Sequence, residues 1–112
     1  MNYASSLLNL QRYAEAKALQ LKTIPATRRV FGESDRLTLM MRKIYAMALY
    51  RDTSATLDDL REAVKTLEET ERTARRVLGG SHPTTAGMEK SLQNARAALR
   101  ARESPSPPPG ES

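Results

Sequence analysis

The feature that most constrains this chain is that it repeats itself. Arg28-Arg29-Val30-Phe31-Gly32 returns as Arg75-Arg76-Val77-Leu78-Gly79, at a spacing of 47 (75 − 28). The same step carries Glu15-Ala16 to Glu62-Ala63, Thr38 to Thr85, Met41 to Met88 and Ala48 to Ala95. A second register, at a spacing of 42 (45 − 3), takes Tyr3-Ala4 to Tyr45-Ala46 and Leu7 to Leu49. A unit this short cannot bury its apolar face alone, so copies of it must stack. The two spacings differ by five residues (47 − 42), which places an insertion of that length at about Asp52 to Thr56. Its Asp, Thr and Ser content reads as a loop.

Each unit reads as a pair of helices. Leu, Ala, Met, Glu and Arg dominate the sequence and β-branched residues are few, which favours an all-α fold. Leu57, Leu60, Val64, Leu67, Ala74 and Val77 form one helical stripe, with charged residues on the opposite face. Glu68 and Arg72 stand at i, i+4 and are expected to pair. Thr56 with Asp59 resembles a capping box, and Gly79-Gly80 predicts a left-handed stop. Arg36 to Tyr50 is apolar over a wider arc, as an inner helix covered on several sides must be. Ser34 or Asp35 is suited to cap it, and Gly32 to end the helix before it. A last helix is expected from about Thr84 to Arg102, its polar outer face suiting the end of an array. At the front, a short helix over Asn2 to Leu10 precedes one from Tyr13 to Val30, which Pro25 should kink or break.

Composition narrows the function classes. There is no Cys and one His, so disulfides, thiolate chemistry, zinc sites and multi-histidine metal sites are not expected. No apolar run approaches the roughly 20 residues of a membrane span, and the first six residues lack a basic stretch leading into an apolar one. A cytoplasmic location without membrane contact fits these features. The formal charge of +5 can attract nucleic acid, and it is also common in plain helical proteins. The end of the chain, Ser-Pro-Ser-Pro-Pro-Pro-Gly-Glu-Ser, has nothing apolar to bury. The expected division is a helical domain over 1–102 and a disordered Pro/Ser-rich tail over 103–112, where Pro105 and Pro108 have PxxP spacing.

Asn2-Tyr3-Ala4, Leu7-Leu8, Arg12-Tyr13-Ala14-Glu15-Ala16, Arg29-Val30-Phe31-Gly32, Arg76-Val77-Leu78-Gly79 and His82-Pro83-Thr84-Thr85 resemble tetratricopeptide repeats of the kinesin-light-chain type. The resemblance runs over roughly residues 1–100. It implies an α-solenoid of antiparallel helix pairs, about two and a half units and roughly five helices. Tyr13 and Leu60 then open each second helix, Ala16 and Ala63 allow close crossing, Gly32 and Gly79 reverse the chain, and Pro83 starts the next unit. It also implies a non-catalytic scaffold whose concave face, lined by first helices, accepts a peptide or a partner domain. In that family an Asn on the first helix can bond a bound peptide's backbone; Asn2 matches it, with Ile44 and Ser91 at the equivalent positions. Asn2, Arg42 and Tyr45 are the expected contact residues. The N-terminal helical face is a candidate for self-association.

Sharper chemical readings have blander competitors. His82 stands at a helix start. Glu68, Glu69 and Glu71 lie along one helix among arginines, as solvated charges do. The recurring pairs Arg28-Arg29 and Arg75-Arg76 could form a basic ridge for nucleic acid, which is the alternative reading, but cations are also favoured at helix C-termini. Met40, Met41, Met47 and Met88 suit either an adaptable surface or a core. No cofactor is implied and no catalytic residue stands out.

Overall fold

The computed structural model describes residues 12–103, and these form four helices. They are α1 (Tyr13–Phe31), α2 (Arg36–Tyr50), α3 (Leu57–Leu78) and α4 (Pro83–Glu103). No strand occurs among the described residues. The expected helix at Asn2–Leu10 and the Pro-rich tail from Ser104 lie outside them.

Side-chain contacts give the directions of the helices. Tyr45 meets Glu62 while Arg42 meets Glu69, so α2 and α3 run antiparallel. Glu68 meets Arg96 while Arg75 meets Glu89, so α3 and α4 do too. Ala16 packs with Ile44 and Ala48, and Gln20 bonds the Met41 carbonyl, which makes α1 antiparallel to α2. Consecutive helices pack together and α2 also packs on α4, while α1 and α3 meet only through side chains, with Lys17 3.8 Å from Asp59. The result is two layers, α1 with α3 and α2 with α4, stacked as helix pairs.

The repeat is visible in the packing. Ala16 and Ala63, equivalent by the 47-residue step, are both fully buried, and so are Thr38 with Thr85. Both alanines are buried at helix–helix contacts, where a longer side chain would press the helices apart. Leu60 is buried and Tyr13 packs half-buried against Ala16, Ile44 and Ala48. The main core joins Ala46 and Leu49 of α2 to Ala63 and Leu67 of α3 and to Leu92 and Ala95 of α4. A second cluster joins Leu39, Ala74 and Met88. The inner helix α2 accordingly buries seven of its residues on several sides.

Helix ends follow their caps. The Asp35 carboxylate accepts from the Leu37 N–H at 2.8 Å and starts α2. Thr56 and Asp59 exchange both bonds of a capping box at 3.1 Å. His82 occupies the position equivalent to Asp35, and its Nδ1 accepts from the Thr84 N–H at 3.1 Å with Pro83 as first helical residue. Gly32 and Gly79 end α1 and α3 with φ of 92° and 94°. Their ψ values of 165° and 153° lie outside the left-handed helical region expected at Gly79-Gly80. This is the mirror-extended region, open essentially to glycine alone, and Gly80 has no positive φ.

Two expectations change. Pro25 does not break α1, which runs unbroken through it. Leu21, whose carbonyl loses the bond that Pro25 cannot make, lies on the exposed side where water can take that bond. Glu68 reaches across to Arg96 of α4 at 2.9 Å and not along its own helix to Arg72.

Candidate partner-binding surface

Helix α2 contacts three other helices and still keeps two half-exposed sides. One forms the floor of the groove between α1 and α3. There Leu21, Ile24, Pro25 and Arg28 face Arg42, Tyr45, Glu62 and Thr66 around a cavity of about 190 Å³. The structure thus brings Arg42 and Tyr45 together. It also ties both to α3: the Arg42 guanidinium donates to Glu69 at 3.0 Å, and the Tyr45 hydroxyl to Glu62 at 3.3 Å. Arg42 is only 15% exposed. Burial, then the nearby Glu62 and Asp59, push the Tyr45 phenol above its ordinary value.

The other side carries Arg36, Met40, Lys43 and Met47, one stripe at helical spacing. Beside it runs α4 with Pro83, Gly87 and Lys90. Where the two helices begin, Asp35, Arg36, Leu37, Met40, His82, Pro83 and Thr84 line an open hollow of about 700 Å³. Here the methionines divide: Met41 and Met88 are core, while Met40 and Met47 are partly buried, Met47 packing against the cluster of Ala16, Ile44 and Ala48. Flexible, polarisable thioethers at a surface adapt to varied partners.

Lys43 was not singled out by the sequence pattern. Its ammonium lies over α4, 3.0 Å from where a Cβ on Gly87 would stand. Burial pushes its pKa below the usual lysine range, and no carboxylate pairs with it among the described residues. A signal was available, since Lys43 recurs as Lys90 at the 47-residue step. What the sequence lacked was which side of α2 each neighbour covers.

The alternatives to a binding surface find less support. Glu68, Glu69 and Glu71 are each held by an arginine, Arg96, Arg42 and Arg75, so they do not converge as an acid–base pair. Of the recurring ridge, Arg28 is paired with Glu33, and Arg75 with Glu71 and Glu89. Among the described residues no three side chains gather as metal ligands, and no helix is long and apolar enough to cross a membrane. Asn2 lies outside the described residues; its repeat equivalents Ile44 and Ser91 are both buried.

Residues 1–36 match the family model of the tetratricopeptide repeat. No curated protein and no solved structure matches the chain. The matched segment covers α1 and the turn after it, and the 47-residue step carries its residues onto α3. Together with the stacked pairs, the match supports a tetratricopeptide repeat protein. Such repeats generally mediate protein–protein interaction and are typically non-catalytic.

Proposed function

We propose that the chain is a non-catalytic interaction scaffold of the kinesin-light-chain repeat type, working in the cytoplasm and accepting a peptide or partner domain on the face built by α2 and α4. These are the first helices of their units. The observation that supports the reading is the partly exposed stripe of Met40, Lys43 and Met47 on a helix that three neighbours contact. Arg42, Tyr45 and, by its repeat position, Asn2 remain proposed contacts. Arg42 and Tyr45 would have to exchange Glu69 and Glu62 for a partner that enters the groove between α1 and α3. Capture from lysate with and without nuclease, at low and high salt, tests the proposal. Protein partners that survive both treatments are expected; recovery of nucleic acid alone would instead favour a basic helical module.

A second reading concerns self-association. Helix α1 exposes Leu21, Val30 and Phe31 at 52%, 73% and 55%. Leu21 and Phe31 lie on neighbouring sides of the helix and offer a face for a second copy, whereas Val30 lies opposite Leu21. Sedimentation at rising concentration should then show dimer, and Phe31→Glu should restore monomer.

A further inference from the structure

The side of α1 that faces α3 is apolar where the repeat does not ask for it. Ala14, Ala18, Leu21 and Pro25 are all exposed and recur at intervals of four, three and four, one stripe of the helix. Such intervals form the seam by which one helix receives another. The 47-residue step carries these four to Arg61, Lys65, Glu68 and Arg72, every one charged. Two of those counterparts reach α4, Arg61 to Glu103 at 3.5 Å and Glu68 to Arg96 at 2.9 Å. The stripe on α1 has no such use among the described residues, and Leu21 stays 52% exposed.

The groove beside this stripe is a row of two hollows, of about 210 and 190 Å³, that share Leu21. Each is below the roughly 300 Å³ at which sites for small molecules begin, so they suit side chains of a larger partner. The opposite wall is α3, with Asp59, Glu62 and Thr66, and Asp52 stands at one end. The cations along the groove are already paired: Lys17 with Asp59 at 3.8 Å, Arg28 with Glu33 at 2.7 Å and Arg42 with Glu69 at 3.0 Å. Among the described residues the Glu62 carboxylate meets only the Tyr45 hydroxyl, and that of Asp52 only the Ser54 N–H. The unmet charge is therefore negative, on a chain whose formal charge is +5. The raised pKa of Tyr45, owed first to burial and then to Glu62, agrees with this. Segment 104–112 has no Lys or Arg to supply the missing cation. We propose that the α1–α3 groove, on the opposite side of α2 from the α2–α4 face, docks a helical segment of a protein partner that carries apolar side chains and a lysine or arginine. The apolar side chains pack on Leu21 and Pro25, and the cation pairs with Glu62. The inference rests on the scaffold reading above and gives the occupant of this groove its chemistry. Nucleic acid is disfavoured, because its phosphates would meet Glu62 and Asp52.

The test uses the whole chain and a fluorescein-labelled helical peptide built from Leu, Ala and Lys, read by anisotropy at about 0.15 M salt. The Lys peptide is expected to bind, and a counterpart with Glu in place of Lys to bind at least about tenfold more weakly. Ala18→Lys copies Lys65 of α3 into the groove and should weaken the Lys peptide at least about tenfold. Glu62→Gln should weaken it about fivefold. Glu103→Gln removes the same charge from the end of α4 and should change binding less than about twofold. Ala18 and Glu62 are exposed, so both groove variants should keep the parent's circular dichroism and melt close to it. Equal binding of the two peptides overturns the site, as does full binding by Ala18→Lys or an equal loss in Glu103→Gln. A dimer that Ala18→Lys abolishes, with no peptide bound, overturns it too, since the groove then holds a second copy. If the Lys peptide fails to bind while lysate partners are still captured, the groove site is wrong and the scaffold reading stands.

Discussion

Replacing Gly79 isolates the backbone cost of ending α3. A Cβ built there meets nothing within 4 Å, so packing contributes nothing to the penalty. The residue's φ of 94° and ψ of 153° define the whole effect. In the left-handed helical region Asn would be tolerated nearly as well as Gly. In the mirror-extended region seen here it is not, and a non-glycine residue is strained by about 1–3 kcal/mol. Gly79→Ala and Gly79→Asn should therefore both destabilise by that amount, lowering the melting temperature by roughly 5–20 °C at about 4–8 °C per kcal/mol for a domain of this size. Gly80→Ala is the control. Its backbone has no positive φ, and its new methyl meets only the far end of the flexible Arg75 side chain. It should cost less than about 1 kcal/mol. Thermal and urea unfolding followed by circular dichroism measure all three. If Gly79→Asn melts within about 0.5 kcal/mol of the parent while Gly79→Ala does not, the stop is an ordinary left-handed cap and the reasoning fails.

Other predictions use the repeat as its own control. The Thr38 hydroxyl donates to the Gly32 carbonyl at 2.8 Å, while the buried Thr85 hydroxyl has no partner. Thr38→Val should then cost about 1 kcal/mol in urea unfolding and Thr85→Val should gain about as much; shifts of the same sign would contradict this. Ala63→Leu should overpack the crossing and destabilise by about 1–3 kcal/mol, with Arg61→Leu, on the exposed face, near neutral. His82→Asp puts the residue of the α2 cap at the start of α4 and should stabilise by about 0.5–1 kcal/mol, seen as a raised melting temperature. Tyr45 has a raised pKa in the fold, so its neutral form is favoured there. Its contribution is full below the unfolded value of 10.0 and is lost as pH rises through the folded value. Urea midpoints should fall less steeply on the alkaline side in Tyr45→Phe.

Much of the fold is legible in the sequence because the repeat is. The bounds of α2 and α3, the capping box at Thr56 and the loop at Asp52 to Thr56 follow from apolar period and polar punctuation. Pro25 does not end α1, because on the solvent side of the helix the Leu21 carbonyl that it leaves free is open to water. Glu68 misleads for a related reason: periodicity offers Arg72, but the neighbouring helix offers Arg96. The site was the least legible part. Arg42 and Tyr45 share a groove, as expected of neighbours on one helix, yet their polar ends are already engaged by Glu69 and Glu62. The significance of Lys43 depends on Gly87, 44 positions later (87 − 43), and only the stacking of α4 beside α2 makes them neighbours.

The central claim is that partners are proteins and that they dock on the α2–α4 face. Site-specific photo-crosslinking tests it most directly. A benzophenone side chain is placed at Met40, on that face, and separately at Arg72 on α3, and each protein is irradiated in nuclease-treated lysate. Discrete protein adducts that persist at high salt are expected from position 40, and none in common from position 72. Equal adducts from both positions, or adducts only from position 72, would contradict it.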